Sequence, residues 1–538
     1  MELYYFLKNE SETFERKLLI VSTIAGVFNG LIIGVIIISA GGPQNANITN
    51  LMLFALCVLI YARSRKYSME QSSTIVEGVI TKIRIRLTDK IRRADLISFE
   101  QMGKNRFYTC LAQDTVVISE AARVITGLLS SSVLLLFASL YIAYLSLPAF
   151  CVTAALVFGG ILIHRQNSRE LDSDLIEASI QENRFFEILG HLMEGFKELK
   201  INDTKCRDFF ENYLKTTAWA TQRAKVGATK RISKKALFAQ CFSYILLSFM
   251  IFVFPSFVVI DSSSLIRIVT MLLFVTTGPL NEAVGSLPLV ERANIAIMNL
   301  RKMEGELERI TLDEDRKVKP RRFTSLACEA VIFDYHNDLG EVLFQVGPID
   351  FDLKRGETVF VMGGNGAGKS TFLKLLIGLY TPSSGRILWN NREVGRKRLT
   401  DYRTNFAMVL QDYHLFDRLY GIEKIDFEKV GEMLERIQLE EKTAILPDGR
   451  FANLNLSAGQ KKRLALIVAE LDNREIYVFD EWAADQDPRF RKYFYEEYLQ
   501  HLKSSGKTVL AVTHDEKYYH VADRVLQMEY GKLTEYHK

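Results

Sequence analysis

The sequence predicts a multi-domain protein in which an all-α domain of six transmembrane helices is followed by an α/β domain. Three observations predict this fold class. Six apolar segments of near-membrane length lie within residues 1–305. After Leu307 the sequence becomes strongly charged, which is typical of a linker. Beyond this linker, short runs rich in β-branched residues alternate with helical patterns, and this alternation indicates a mainly parallel sheet.

The composition of the whole chain sets broad limits on its class. With 538 residues the chain is too long for a single core. The 68 Lys and Arg residues nearly balance the 64 Asp and Glu residues, so charge gives no reason to expect a nucleic acid as partner. The six cysteines are scattered, without a CxxC motif or a neighbouring histidine cluster, and therefore predict free thiols.

The first apolar segment, "LLIVSTIAGVFNGLIIGVIIISA" from Leu18 to Ala40, is uncharged and long enough to span a hydrocarbon core. It is longer than the apolar part of a signal peptide and follows residues of mixed charge, so we expect it to be retained. The second and fourth segments are short enough to be buried soluble helices, but each is paired with a neighbouring run, which favours six spans. The further segments are 48–62, 124–146, 148–164, 236–260 and 265–288.

Loop charge orients these spans. The short connections at 41–50, 146–148 and 261–264 contain no Lys or Arg, whereas the long opposite connections are rich in both. The positive-inside rule therefore places the long connections and both termini in the cytoplasm. The long connections, about 63–120 and 165–235, keep helical apolar spacing, so we expect them to continue the membrane helices.

A few polar residues interrupt the apolar segments. Such groups are expensive in lipid, so they are expected to face a cavity or another helix. For the serine hydroxyls, helix packing is favoured over substrate contact. For Glu282, helix packing and substrate contact are about equally favoured. This acid comes late in the sixth segment, where the helix can already extend into the cytoplasm. The polar residues are Asn29, Ser130, Ser131, Ser132, Gln240, Asn281 and Glu282.

These patterns divide the chain into three parts. Residues 1–305 form the predicted transmembrane domain with its cytoplasmic extensions, 306–322 form a linker, and 323–538 form the α/β domain. The linker is charged and contains Pro320, which is typical of an exposed connection between domains.

A glycine-rich segment, "GGNGAGKST", follows the first strand-like run of the α/β domain and opens a helical pattern. This strand, loop and helix context is what a P-loop requires. Glycines let backbone N–H groups turn towards phosphates, Lys369 would reach the β- and γ-phosphates, and the Ser370 hydroxyl would ligate Mg²⁺. The predicted nucleotide-binding residues here are Gly363, Gly364, Asn365, Gly366, Ala367, Gly368, Lys369, Ser370 and Thr371.

Two adjacent acids end another apolar run, "IYVFDE". The buried strand Ile476 to Phe479 would hold Asp480 at the carboxyl end of the sheet, where open α/β folds bind ligands. We predict Asp480 as the acid on the metal side of the site and Glu481 as the group that polarises the attacking water.

The segment "LSAGQ", Leu456 to Gln460, precedes that acidic strand and resembles the "LSGGQ" signature of the ATP-binding cassette (ABC) family. By this resemblance Tyr335 stacks on adenine and Gln411 is the Q-loop residue and a metal ligand. Asp487 matches the D-loop aspartate and His514 the switch histidine. The resemblance thus adds as nucleotide-binding residues Tyr335, Gln411, Leu456, Ser457, Ala458, Gly459, Gln460 and Asp487. The predicted catalytic residues are Lys369, Glu481 and His514, and the predicted metal ligands are Ser370, Gln411 and Asp480.

The resemblance covers nearly the whole chain, because six spans ahead of one cassette is the arrangement of ABC half-exporters with the type I exporter fold. It implies ATP hydrolysis coupled to transport, with ATP and Mg²⁺ as cofactors. It also implies a homodimer, since the signature of one copy closes over the P-loop of the other. The expected location is the bacterial cytoplasmic (inner) membrane, in contact with lipid and with the cassette in the cytoplasm. Coupling helices that dock on the cassette are expected near 102–110 and 185–195.

Among half-exporters, the chain resembles the cyclic-peptide and siderophore exporters of the pyoverdine and syringomycin type. These carry "YVFDEWAADQDP" almost as it stands in this sequence, where most exporters have "DEPTSALD". The resemblance implies a peptide-like cargo, namely an amphiphilic (cyclic) peptide, a peptide antibiotic or a siderophore precursor. Trp482 stands where most relatives have proline, and no role is expected for it beyond packing at the dimer seam. The glycine-acid motif usually found before the signature is replaced by "LPDGRFAN".

Two other functional classes are alternatives to a peptide exporter. A lipid flippase or a broad-specificity drug exporter is the nearer alternative, and no residue excludes it. A regulatory ABC protein that binds nucleotide without transport is expected to lack part of the hydrolytic set. Here that set is complete, which favours an active pump. Its members are Lys369, Gln411, Asp480, Glu481 and His514.

Overall fold

The chain folds into two compact units in a computed structural model. The structure describes residues 2–10, 16–40, 47–166, 169–310, 322–337, 339–422 and 424–536. One unit consists of Met1–Arg92 and Met102–Arg309, and the other of Arg93–Gln101 and Ile310–Lys538. Most of the predicted linker, residues 311–321, lies outside the described residues, so the boundaries at 306 and 322 stay predictions.

The first unit contains helices and short connections among its described residues. Several of its helices are joined end to end by single turns of π-helix or 3₁₀-helix. These turns are Thr109–Asp114, Phe209–Leu214, Phe249–Val253, Phe254–Ser256 and Thr276–Leu280. The α-helices are α1 (Glu2–Glu10), α2 (Arg16–Ala40), α3 (Ile48–Arg92), α4 (Leu96–Met102), α5 (Lys104–Tyr108), α6 (Thr115–Leu145), α7 (Leu147–Gln166), α8 (Arg169–Glu194), α9 (Phe196–Ile201), α10 (Asp203–Asp208), α11 (Lys215–Ser248), α12 (Ser262–Val275) and α13 (Asn281–Ile310).

Five helical stretches among the described residues are long and apolar enough to cross a membrane, and Leu147–Gly160 is a shorter apolar helix. Five of the six predicted spans therefore have the required length and composition. The fourth predicted span, 148–164, falls in α7 and corresponds to the shorter apolar helix. The five stretches are Leu18–Ala40, Ile48–Arg92, Arg106–Leu145, Asp203–Ser256 and Ser262–Ile310.

The prediction that the long connections continue the membrane helices is confirmed by α3. This helix has 45 residues without a break. At about 1.5 Å per residue it is roughly twice as long as a hydrocarbon core is thick. Its C-terminal half buries an apolar stripe that includes Val76, Ile83 and Leu87, so it packs in a helical bundle rather than running free in solvent.

Small residues allow close packing of α2 against α6. A Cβ atom added at Gly26 would lie 2.6 Å from Cβ of Val133, and one added at Gly30 would lie 2.6 Å from the ring of Phe137. Both separations are too short for any side chain other than hydrogen. Since apolar surface gains little from helix association in lipid, such close backbone approach is the usual means of holding membrane helices together.

The second unit contains two sheets. A six-stranded sheet has the order β10-β9-β3-β8-β7-β6 and is parallel except for the β9–β10 pair, and an antiparallel sheet has the order β2-β1-β4-β5. The predicted α/β fold with a mainly parallel sheet is confirmed. The strands are β1 (Ser325–His336), β2 (Val342–Lys354), β3 (Thr358–Met362), β4 (Ser384–Trp389), β5 (Arg392–Glu393), β6 (Phe406–Val409), β7 (Ile476–Asp480), β8 (Thr508–Val512), β9 (Arg524–Glu529) and β10 (Lys532–Glu535). The α-helices are α14 (Lys369–Leu376), α15 (Leu399–Arg403), α16 (Phe427–Arg436), α17 (Ala458–Asp472), α18 (Pro488–Lys492) and α19 (Leu499–Ser504), with 3₁₀ turns at Arg396–Arg398, Trp482–Asp485 and Glu516–Val521 and a π-helical turn at Tyr493–Tyr498.

The register of the parallel strands positions the candidate site. Val361 of β3 and Asp480 of β7 are both paired with Val512 of β8, and Val409 of β6 is paired with Phe479. The strands therefore end at nearly the same level, and the loops that follow them leave from one edge of the sheet. Every residue of β7 and β8 is buried, as expected for central parallel strands that are covered on both faces.

The segment Arg93–Gln101, which contains most of α4, is part of the second unit. Leu96 and Ile97 pack against the core of that unit. Glu100 accepts hydrogen bonds from the Tyr380 hydroxyl at 2.6 Å and from the Lys374 ammonium at 3.2 Å. The packed helix thus lies just before the expected coupling turn at 102–110. At the second expected position, 185–195, α8 continues to Glu194 and breaks at Gly195, and its docking stays a prediction.

Candidate active site

The loop between β3 and α14 has a backbone that only glycine allows at three positions. Gly363, Gly366 and Gly368 have φ angles of +149°, +78° and +104°. A side chain at Gly363 would collide with the carbonyl oxygen of Met528, and a Cβ atom at Gly368 would be 3.1 Å from that methionine's side chain. The loop therefore wraps tightly around the start of α14, with backbone N–H groups available to an anion at the positive end of the helix.

Lys369 is the first residue of α14 and is only 5% exposed. Its ammonium group donates to the carbonyl oxygens of Gly363 and Gly364, both at 3.0 Å, and lies 3.5 Å from the carboxylate of Glu481. A buried ammonium ion needs such partners, because burial without them strongly disfavours charge. The lysine is thus held over the loop, next to the acid after β7.

Asp480 ends β7 and is 2% exposed. Burial raises the pKa of this carboxyl group, and a hydrogen bond from the Ser370 hydroxyl opposes that rise. Its Oδ1 atom is buried without a hydrogen-bond partner among the described residues. An unpaired buried acceptor is costly, and a bound cation would satisfy it. The carboxylate and the hydroxyl together fit a hard divalent cation, which prefers oxygen ligands.

Glu481 adopts the left-handed backbone conformation, with a φ angle of +48°. This conformation is uncommon outside glycine and is retained here because the backbone N–H donates to the carbonyl oxygen of Val512 at 3.2 Å. The carboxylate Oε1 is 3.0 Å from Nε2 of His514. The structure therefore brings together, around one carboxylate, the three predicted catalytic residues Lys369, Glu481 and His514.

Tyr335 and Gln411 flank this cluster. The Tyr335 hydroxyl is 3.0 Å from Oγ1 of Thr371 in the glycine-rich loop and helix segment, and its ring contacts Phe333 edge-on at 5.1 Å. Stacking of Tyr335 on adenine stays a prediction. Gln411 is exposed and comes two residues after β6, at the same edge of the sheet as Asp480.

The "LSAGQ" segment begins α17 with a complete capping box. The backbone N–H of Gln460 donates to the Ser457 hydroxyl at 3.3 Å, and the backbone N–H of Ser457 donates to the Gln460 side chain at 3.0 Å. A Cβ atom at Gly459 would lie 2.8 Å from the carbonyl oxygen of Asp485. The structure thus groups the signature with the loop after β7, while the P-loop, the two acids and His514 form a second group.

Trp482 corrects one expectation from the sequence. It was expected at a dimer seam, but its side chain is 1% exposed and lies in the core of its own unit. The indole stacks on Phe494 with ring centroids 4.4 Å apart, and its N–H donates to the carbonyl oxygen of Lys462 in α17 at 2.8 Å. Because Trp482 directly follows Glu481, it ties that acid to the signature helix.

Lys462 and Arg463 are site residues that sequence reasoning missed. The Lys462 ammonium is 2.7 Å from the Asp485 carboxylate and 3.4 Å from the carbonyl oxygen of Glu481. The Arg463 guanidinium is 2.8 Å from Asp487 and lies over the Phe490 ring at 3.3 Å. The signal is the run "KKR" directly after the signature, since cations one turn into α17 face the acidic loop.

Asp487 is the N-cap residue of α18. Its carboxylate accepts from the backbone N–H groups of Arg489 at 3.0 Å and Phe490 at 3.1 Å. The hydrogen bond from Phe490 lowers the pKa of Asp487, and the charge of Arg463 adds to this effect. Asp487 is therefore charged and fixed within its own chain, and its role as the D-loop aspartate stays a prediction.

Comparison with known proteins gives a consistent result. The ABC transporter family matches residues 346–484. The chain is 32% identical over 469 residues to the ATP-binding protein SyrD of Pseudomonas syringae pv. syringae, covering 85% of this chain and 82% of SyrD. Its fold is similar to that of a bacterial Atm1-family ABC exporter with ATP bound, with a TM-score of 0.79, 16% identity, and coverage of 96% of this chain and 93% of the other.

Replacing Glu481 tests its predicted role as the group that polarises water. We expect Glu481→Gln to lower ATP hydrolysis by roughly 100-fold or more, because general-base catalysis contributes about that much, while ATP binding persists. Phosphate release and nucleotide binding are measured on purified protein in nanodiscs. The control is Glu428→Gln, at an exposed position in α16, which should keep the rate. Unchanged hydrolysis in Glu481→Gln would contradict the assignment.

Replacing Trp482 tests whether its hydrogen bond to α17 positions the neighbouring Glu481. Trp482→Phe keeps an aromatic ring against Phe494 but removes the N–H donor to Lys462. Since one such bond contributes about 1 kcal/mol, we expect kcat to fall by roughly three- to tenfold with an unchanged KM for ATP. Trp389→Phe, a tryptophan of the antiparallel sheet, serves as control. An equal fall in both variants, or none in Trp482→Phe, would rule out a specific role.

Proposed function

The chain belongs to the ABC transporter family as an exporter whose ATP hydrolysis is coupled to transport, and from this premise we propose that its cargo is an amphiphilic peptide-like molecule. The cargo class includes cyclic peptides, peptide antibiotics and siderophore precursors. The observation that carries the proposal is the segment "YVFDEWAADQDP", by which the chain resembles exporters of that group. The identity to SyrD over 82% of that protein's length supports it.

For ATP hydrolysis we propose roles that follow from the site geometry. Lys369 would leave its carbonyl partners and Glu481 for the β- and γ-phosphates, whose charge is higher. Glu481 would then be free to orient the attacking water, while His514 fixes its carboxylate from the other side. The glycine-rich loop and the adjoining helix end hold the phosphates, and Tyr335 holds the adenine.

We propose Mg²⁺ as the metal of this site. Asp480 and Ser370 would hold it, with Gln411 at the same edge of the sheet. The proposal is supported by the unpaired buried Oδ1 atom of Asp480. When bound, Mg²⁺ neutralises charge on the phosphate oxygens.

We propose that the working form is a homodimer in which the signature of one copy completes the site of the other. Within one chain, the signature contacts the loop after β7 rather than forming part of the Lys369 cluster. This arrangement supports a site that a second copy completes. The protein is a multi-pass membrane protein. Loop charge supports a bacterial cytoplasmic membrane location with the cassette in the cytoplasm.

Asp480→Asn tests the metal proposal. The amide keeps the size of the side chain but removes the charge that a divalent cation requires. We expect Mg²⁺-dependent ATP hydrolysis to fall by roughly 100-fold or more, since a metal ion supplies several kcal/mol to the transition state. The measurement is phosphate release against Mg²⁺ concentration, with Asp448→Asn as an exposed control. The same Mg²⁺ dependence in Asp480→Asn and in the unsubstituted protein would contradict the proposal.

The cargo proposal is tested by ATP hydrolysis in nanodiscs against a panel of amphiphilic cyclic peptides, siderophores and lipids. We expect peptides or siderophores to stimulate hydrolysis and to accumulate in inverted vesicles in an ATP-dependent manner. Glu481→Gln vesicles provide the matched control without hydrolysis. Stimulation and movement of lipids alone would favour a flippase and reject the peptide cargo, and stimulation by unrelated drugs would favour a broad-specificity exporter.

A further inference from the structure

A cluster of polar side chains joins three helices inside the first unit. The guanidinium of Arg65 in α3 is 3.5 Å from Oε1 of Glu282 in α13 and donates to the Ser130 hydroxyl of α6 at 3.2 Å. The Ser131 hydroxyl, also in α6, donates to Oε2 of Glu282 at 2.6 Å. Both carboxylate oxygens of Glu282 are therefore engaged, one by an arginine and one by a hydroxyl.

In the orientation proposed from loop charge, the cluster falls about one hydrocarbon thickness from the first residues of α3 and α12. Arg65 is 17 residues beyond Ile48, the first residue of α3, which corresponds to about 26 Å of helix. Glu282 is 20 residues beyond Ser262, which corresponds to about 30 Å. The hydrocarbon core is about 30 Å thick. Two helices that start on the outer side thus place opposite charges at the same depth.

The Glu282 side chain packs closely against α6. A Cβ atom at Gly127 of α6 would collide with the carboxylate of Glu282 and would lie 3.4 Å from Arg65. The Glu282 side chain thus rests directly on the backbone of α6. The Arg65 and Glu282 side chains are 25% and 39% exposed in the single chain. Charges at this depth are costly in lipid unless they are paired, so the pair stabilises the contact of α13 with both neighbours.

Glu282 also sits in the most irregular part of its helix. The π-helical turn Thr276–Leu280 contains Pro279 and ends two residues before it, and Pro288 lies six residues after it. Proline removes a backbone donor, and π-helical turns and prolines are the usual causes of sharp helix bends. The helix continues from this segment to Ile310, and the chain then leads into the cassette.

We propose that the Arg65–Glu282 pair is a positioning element for transport. It holds the proline-flanked segment 276–288 against α3 and α6 at the cytoplasmic face of the membrane. Bending of α13 at this segment requires the pair to separate, so the pair sets how readily the membrane domain leaves its resting conformation. This role concerns the shared ATP-driven cycle and does not depend on which cargo is carried.

The test is hydrogen exchange of the full-length protein in nanodiscs, followed for peptides that cover 276–290. In Glu282→Gln we expect nucleotide-free exchange in this region to be faster by about tenfold, with basal ATP hydrolysis within about twofold of the unsubstituted protein. The double variant Arg65→Glu with Glu282→Arg should restore slow exchange. Ser131→Ala, which removes only the hydroxyl donor, should produce a smaller increase.

The matched control is Glu77→Gln. It removes the Ser119 bond at 2.6 Å and the Arg123 contact at 3.4 Å, which also join α3 to α6. Exchange at 276–290 should not change in this variant. The proposal is overturned if Glu282→Gln leaves exchange at 276–290 unchanged, or if the charge-swapped variant fails to restore it. It is also overturned if exchange rises throughout the helical unit together with a lower Tm, because that result would show only a general loss of stability.

Discussion

The parallel register of β3, β8 and β7 is the constraint on which the ATPase site depends. Because Val361 and Asp480 share Val512 as their partner, the glycine-rich loop, the acidic pair and His514 leave one edge of the sheet together. The side chains are then brought within 3.0 to 3.5 Å of one carboxylate. The attraction between Lys369 and Glu481 is strong, since their side chains are only 6% and 16% exposed. A shift of register by one residue would separate all of these groups.

A second dependence links the acid to the signature helix. Trp482 is fixed between Phe494 and the backbone of Lys462. The Lys462 ammonium in turn donates to the carbonyl oxygen of Glu481 and pairs with the Asp485 carboxylate. The left-handed conformation of Glu481 is thus held on its carboxyl side by α17 and on its amino side by β8. Any displacement of the signature helix moves the backbone of the acid that we propose to orient water. The residue after that acid is thus fixed by a packed and hydrogen-bonded side chain.

The features that could be predicted from the sequence are those that depend on a local pattern of residues. The glycine spacing of the loop after β3 reflects positive φ angles, which are a local backbone requirement, and the long apolar runs reflect the length needed to cross lipid, so the sequence predicts both. The burial of Trp482 was missed, since it depends on Phe494 and α17. The Arg65–Glu282 pair was missed for the same reason, because it joins helices far apart in sequence.

The contacts of α13 with α3 differ in strength along their length. At Arg65 and Glu282 the two helices are joined by one pair at 3.5 Å, with side chains 25% and 39% exposed. Further along both helices, Arg86 and Lys90 of α3 each approach Glu304 of α13 to 2.8 Å, and Arg86 also binds Glu10 of α1. The Glu304 side chain is 19% exposed, so these pairs are shorter and their shared acid is better shielded from water than the upper pair. Several charges in one network also hold a geometry better than an isolated pair does. Relative motion of the two helices is therefore expected to pivot near Glu304, with the larger displacement at the proline-flanked segment 276–288.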